Sequence, residues 1–139
     1  MGYTQYYKMP RKPSAARWAL FVADVQKIFA HPDVAPLVAF ECDTPEMPPC
    51  ADHEGVHFNG KGEDGHETCY LLPEKAGGFC KTNNKPYDAA VCAVLLAAHR
   101  HIGAVVSSDG DWAEWADGRA IYASACGHIA KRPWPEGEE

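Results

Sequence analysis

The run Tyr87-Asp88-Ala89-Ala90-Val91-Cys92-Ala93-Val94-Leu95-Leu96-Ala97-Ala98-His99-Arg100-His101-Ile102-Gly103-Ala104-Val105-Val106-Ser107-Ser108-Asp109-Gly110 reads as helix, stop, strand and turn in succession. The helix starts near Tyr87 or Asp88 and carries Val91, Leu95 and Ile102 on one face. Gly103 is a natural left-handed C-cap, so the helix ends there. Ala104 to Ser107 follow as a strand, and Ser108-Asp109-Gly110 form a turn. A helix that hands the chain directly to a strand mixes the two element types, and the order of the other segments makes the expected class α+β. The remaining segments are read around that unit.

Upstream, residues 3–8 alternate aromatic and polar side chains and predict a short strand from Tyr3 to Lys8. Pro10 and Pro13 make a rigid turn, and Ser14 is a fair N-cap for a helix running to about Phe29. Trp18, Phe21, Val22, Val25, Ile28 and Phe29 form a single helical stripe, which Pro32 ends. Residues 31–54 hold Pro32, Pro36, Pro45, Pro48 and Pro49 and read as a loop insertion, with an added strand at Leu37 to Cys42. Val56 to Phe58 and His66 to Leu72 flank the Gly-rich stretch Asn59 to Gly65 and predict a hairpin. Residues 73–86 read as loop. Downstream, a third helix is expected from Trp112 to Cys126, weakened at Asp117-Gly118, and residues 133–139 read as an acidic tail. The result is one domain over residues 1–132. It has a small antiparallel sheet with helices on one face, in the order of a ferredoxin-like β-α-β-β-α-β unit plus a C-terminal helix.

Composition narrows the function. A chain of 139 residues is one domain's worth. Its net charge of −6 argues against a general binder of duplex nucleic acid, which must neutralise phosphates. Leu, Ile, Val and Phe supply only 24 residues, so the core must lean on Trp, Tyr, Cys and small side chains. No apolar run approaches the ~20 residues of a membrane span. The polar, aromatic opening Gly2 to Tyr7 is not expected to act as an export signal, and Tyr6 stands where a myristoylation motif needs Ser or Thr. The six cysteines form no CxxC pair and are expected to be reduced thiols in a cytoplasm.

Phe79-Cys80-Lys81-Thr82-Asn83-Asn84-Lys85-Pro86-Tyr87-Asp88 and Val106-Ser107-Ser108-Asp109-Gly110-Asp111-Trp112 are distinctive, as is the opening Gly2-Tyr3-Thr4-Gln5-Tyr6-Tyr7. With these motifs the chain resembles a family of small uncharacterised proteins from bacteriophages and from actinobacterial or proteobacterial genomes, which open Gly-Tyr-Thr-His-Tyr-Trp. Gln5 stands here in place of the His, and Tyr7 in place of the Trp. The resemblance covers most of the chain. It implies a phage or mobile-element setting, hence a host cytoplasm, and brings no activity with it.

The candidate ligand site is drawn from these motifs. Lys81, Thr82 and Lys85 precede a helix N-terminus, a combination that suits phosphate or carboxylate. A capped helix behind a solvated loop, with Asp88 as the cap, accounts for the same residues. Tyr3, Tyr7, Tyr87 and Trp112, with Tyr6, Phe79 and Trp115, fall at strand ends and helix starts, where they either stack on a planar ligand or fill the core. Ser108 and Asp109 suit ribose hydroxyls, or serve the turn. In a ferredoxin-like sheet the first and last strands lie close, which brings Tyr3 to Tyr7 toward Ser107 to Trp112. Cys50, His53, His57, His66 and Cys69 have spacings feasible for zinc but match no standard module. Cys80, beside Lys81 and a helix start, is a weak nucleophile candidate without a base in reach. The leading expectation is a noncatalytic, cytoplasmic protein that binds a small anionic, aromatic ligand. A nucleotide derivative fits that description, and one version is sequestration of a host signalling nucleotide. The alternatives are a small enzyme acting on such a ligand and an interaction module that inhibits a host factor. No cofactor, membrane or duplex nucleic acid is expected, and self-association into a homo-oligomer stays open.

Overall fold

The protein is described by a computed structural model over residues 3–74 and 77–135. Its first strand, β1 (Thr4–Lys8), alternates as expected at its centre, with Gln5 and Tyr7 buried and Tyr6 and Lys8 exposed. Helix α1 (Ala15–Ala30) begins where the Ser14 hydroxyl accepts the Arg17 N–H, and it buries Trp18, Phe21, Val25 and Ile28. The Pro-rich insertion contributes β2 (Val38–Ala39) and β3 (Cys50–Asp52). The expected hairpin follows as β4 (Gly55–Gly60) and β5 (Cys69–Leu71). Then come β6 (Gly77–Lys81), α2 (Asp88–Ile102), β7 (Val105–Ser108) and α3 (Ala116–Cys126). Gly103 takes the left-handed conformation at φ 68°, and its N–H bonds to the Ala98 carbonyl to close α2.

The chain thus folds as α+β, with three helices and two antiparallel sheets among the described residues. The first sheet has the order β6-β1-β7, with β1 in the middle. In the second sheet β4 pairs with β2, β3 and β5. The hairpin therefore does not extend the sheet built on β1. Both edges of β1 are taken, and the free edge of β6 is bonded at Lys81 by residues 66 and 67. The Lys81 N–H donates to Glu67 Oε1 at 2.8 Å, and the Lys81 carbonyl accepts from the Glu67 N–H and meets His66 Nδ1.

Four boundaries differ from the sequence reading. Strand β6 lies inside residues 73–86, which read as loop because Gly77-Gly78 carries no strand preference. Pairing with β1 makes it a strand. Gly78 fits there because a Cβ would come within 3.2 to 3.3 Å of the Tyr7 ring and hydroxyl. The strand expected at Leu37 to Cys42 shrinks to Val38–Ala39, and β3 joins it in the insertion. The third helix starts at Ala116, after a 3₁₀ turn over Ala113–Trp115. Trp134, read as part of a tail, is buried against Trp112 and Trp115. Residues 136–139 lie outside the described residues.

Helix α2 sits at the centre, and Ala90 to Ala98 are all buried. It packs against α1, α3 and the first sheet. A helix apolar on every side must be enclosed, and its alanines let its neighbours approach closely. At Gly118 of α3 a Cβ would lie 2.4 Å from the Cys92 Cβ, so that glycine marks the contact between the two helices. Trp115, Tyr87, Tyr122, Phe21 and Phe58 are the largest fully buried side chains, as a core short of Leu and Ile requires. Among the described residues no helix is long and apolar enough to cross a membrane.

Candidate functional site

All three sequence motifs meet on β1. The Tyr3 carbonyl accepts the N–H groups of Thr82 and Asn83, and the Thr4 carbonyl accepts the N–H of Asp109. Lys81 pairs with Thr4 in register, and Ser108 with Gln5. The expected approach of residues 3–7 to residues 107–112 is therefore real, with 79–83 on the other side of the same strand. Because β1 is pleated, the motif residues divide between an inner face against α2 and an outer face.

The inner face holds a buried polar cluster around Asp88, in which Gln5 Oε1 has no hydrogen-bond partner. Its Oδ1 accepts from Gln5 Nε2 at 2.9 Å and from Thr82 Oγ1 at 2.5 Å, and its Oδ2 accepts from Cys92 Sγ at 3.6 Å. Gln5 and Thr82 are fully buried and Asp88 nearly so. Burial, and then the Asp88 charge, push the Cys92 thiol well above its ordinary range. Burial and the same carboxylate raise Tyr3 to about 12. Asn83 and Asn84, both left-handed at φ 54° and 57°, turn the chain so that Thr82 faces Asp88 across the helix start. The negative charge at the first turn of α2 is thus supplied by the protein itself.

Several expected ligand contacts are used up inside the protein. Tyr87 is fully buried, and its hydroxyl donates to the Glu67 carbonyl at 2.6 Å. Tyr7 is buried, and its hydroxyl donates to the Tyr70 carbonyl at 2.8 Å. Burial raises the pKa of both hydroxyls. Ser108 Oγ accepts from the Gly110 N–H and from Trp115 Nε1. Trp112 packs beside Trp115 and Trp134, with the Arg119 guanidinium 4.3 Å above its ring. Thr82, Tyr87, Tyr7, Ser108 and Trp112 therefore serve the scaffold. Lys85 donates its N–H to the Thr82 carbonyl and belongs to the turn.

The other candidates also separate. The Cys80 thiol is fully buried and donates to the Glu67 carbonyl. Cys50 donates to Asp52, His57 meets Glu41 at 2.5 Å, His66 meets the Lys81 carbonyl, and Cys69 is buried. Among the described residues no group of three or more His, Cys, Asp or Glu side chains is placed to hold a metal. The expected zinc ligands lie on both faces of the second sheet and beyond it. The Thr68 hydroxyl at 2.7 Å, and then His57, hold the Glu41 carboxyl below its ordinary range.

The outer face is open. Its middle row runs Phe79, Tyr6, Ser107 across β6, β1 and β7. Phe79 is 58% exposed and Tyr6 39%. Lys81 and Thr4 form the row at one end, and Gly77, Lys8 and Val105 the row at the other. Tyr6 donates its hydroxyl to Asp109 Oδ1 at 2.9 Å, while Asp109 Oδ2 accepts the Thr4 N–H. That carboxylate, more than burial, raises the Tyr6 pKa. The face joins two exposed rings to lysines on both sides, with one hydroxyl beside them. Such a surface can stack a planar ligand and pair with its negative charge. Of the expected ligand residues it retains Lys81, with Asp109 holding Tyr6. It singles out Tyr6 and Phe79 from the candidate aromatics, keeps Ser107 beside them and adds Lys8, a set that strict alternation along three paired strands puts together.

Comparisons with protein-family models, with curated proteins and with solved structures return no match for this chain.

Proposed function

We propose that the protein is a noncatalytic binder of a planar, anionic ligand of the nucleotide class, held on the outer face of the β6-β1-β7 sheet. The observation that supports this is the exposed cross-strand pair Tyr6–Phe79 with Lys8 and Lys81 on either side. Two adjacent rings that meet water between cations offer a stacking surface and a charge to a planar anion. The noncatalytic reading rests on the inner cluster. Its nucleophilic and acidic groups are buried and bonded to one another, out of reach of a ligand on the outer face. In the phage setting that the resemblance implies, the role is to sequester a nucleotide signal in the host cytoplasm.

A thermal-shift screen against nucleotides and cyclic dinucleotides tests this. A ligand that raises the melting temperature, is recovered unchanged and loses its effect in Phe79→Ala supports the reading. Chemical turnover of the ligand would sink the noncatalytic assignment. A shift that persists in both Tyr6→Ala and Phe79→Ala would move the site elsewhere.

A further inference from the structure

We infer that the outer sheet face takes a short stretch of single-stranded nucleic acid, two bases at a time, in preference to an isolated nucleotide. This rests on the reading of that face given above and adds the length and polymer character of the ligand. Tyr6 and Phe79 are direct cross-strand partners, so their side chains leave the outer face from adjacent positions, with a Cβ separation of about 5 Å. Each ring offers one stacking surface. The lysines lie at opposite ends of the same strand pair, Lys81 in register with Thr4 and Lys8 with Gly77. Four strand residues separate those rows, about 13 Å. A mononucleotide brings one base and one phosphate, so it fills one ring and one lysine row and leaves the other pair unused. A strand with phosphates on either side of two splayed bases can use both pairs. Exposed Ser107 continues the row on β7 and supplies a hydroxyl next to Tyr6. A duplex keeps its base faces stacked inside and has nothing to offer the rings. Sheet faces that stack bases of single strands on aromatic side chains work by this division of labour between ring and cation.

The charge balance limits the contact to a short one. With a net charge of −6, Asp109 beside Tyr6 and the Glu67 carboxylate on the Lys81 N–H, gains are confined to phosphates that meet the Lys8 and Lys81 side chains directly. Two neutralised phosphates predict a slope of about −1.4 in log affinity against log salt for a single strand.

The test is fluorescence anisotropy with a labelled single-stranded tetranucleotide, in DNA and RNA forms. The competitors are the matching mononucleotide, a cyclic dinucleotide and a duplex. The tetranucleotide is expected to bind about tenfold or more tighter than the mononucleotide, and the duplex not to compete. Tyr6→Ala and Phe79→Ala should each weaken binding about tenfold. Lys8→Ala and Lys81→Ala should each reduce the salt slope by about 0.7. All four side chains lie on the outer face of the sheet, and thermal melts confirm that the variants fold. A mononucleotide or cyclic dinucleotide that binds as tightly as the tetranucleotide, and still needs Phe79, overturns this inference while the small-ligand reading stands. No binding by any of these ligands, or binding indifferent to both aromatic variants, overturns both.

Discussion

Tyr6 and Tyr7 are neighbours in the chain and lie on opposite sides of one strand. Tyr7 is 8% exposed, packs over Gly78 and donates its hydroxyl to a backbone carbonyl. Tyr6 is 39% exposed and donates to Asp109, itself an exposed side chain. The same contrast runs across the whole β6-β1-β7 sheet. On the inner face every motif residue is committed to another protein atom or to the core. On the outer face the rings of Tyr6 and Phe79 meet solvent. A polar or aromatic residue in a distinctive motif is therefore no guide to a ligand by itself. Which side of the pleat it occupies decides whether it holds the protein together or is free to hold something else.

The largest effect that tests this contrast compares Tyr87→Ala with Phe79→Ala. Both remove an aromatic ring from the same motif. Tyr87 is fully enclosed, and its loss leaves a cavity and a Glu67 carbonyl with only the weak Cys80 thiol donor, a cost of about 3–5 kcal/mol. Phe79 is mostly in water, and its loss should stay within about 0.5 kcal/mol. Urea denaturation measures both. A Phe79→Ala variant that loses as much as Tyr87→Ala would show that the outer face is covered in solution.

Asp88→Ala comes next. It strips the acceptor from Thr82 Oγ1 and leaves Gln5 Nε2 only the Cys92 sulfur while both stay buried, at an expected cost of about 2–3 kcal/mol. Ligand binding on the outer face should survive in the folded fraction. If Asp88→Ala keeps full stability and abolishes binding, the functional group is on the inner side and the comparison is reversed.

Helices α1 and α2 were legible because each carries local signals: the Ser14 cap and the Trp18-to-Phe29 stripe in one, and the Gly103 stop in the other. Strand β7 follows directly from that stop. Strand β6 was hidden because its first two residues are glycines and its strand character comes from β1, a partner more than 60 residues away. Missing β6 also hid the site. Without the register Tyr6↔Phe79, neither residue stands out from the other aromatics, and Tyr7 and Tyr87 look as good. Gly118 read as a weakness in α3, whereas it is the point of closest approach to Cys92. Each of these errors has one cause. Contacts between distant segments decide them, and a single sequence shows only what lies within a few turns.

Smaller effects separate the two tyrosines directly. Tyr7→Phe removes the hydroxyl from a mostly enclosed site and leaves the Tyr70 carbonyl short of a donor, at about 1 kcal/mol. Tyr6→Phe removes a hydroxyl in water and should cost a few tenths of a kcal/mol at most. It keeps the ring, so a stacked ligand should bind nearly as well as to the natural chain. Tyr6→Phe that loses binding as badly as Tyr6→Ala would make the hydroxyl, and not the ring, the ligand group.

The smallest effect is on ionisation and needs no change in stability to be seen. Both tyrosines ionise later than an ordinary tyrosine, for different reasons: burial in Tyr7, the Asp109 hydrogen bond in Tyr6. Asp109→Asn removes the carboxylate, so the Tyr6 pKa should fall back toward 10 while Tyr7 stays raised. A ring-carbon NMR titration resolves the two residues. The sign of the accompanying stability change follows. A tyrosine whose pKa is raised on folding gives stability that is fully present below the unfolded value near 10 and is lost as pH climbs through the folded value. Alkaline unfolding should therefore be dominated by Tyr7 and the other buried hydroxyls, and Asp109→Asn should barely move it. If Asp109→Asn shifts Tyr7 as well as Tyr6, the two faces of β1 are electrostatically coupled. The separation of scaffold from ligand surface would then fail at the strand where it is drawn.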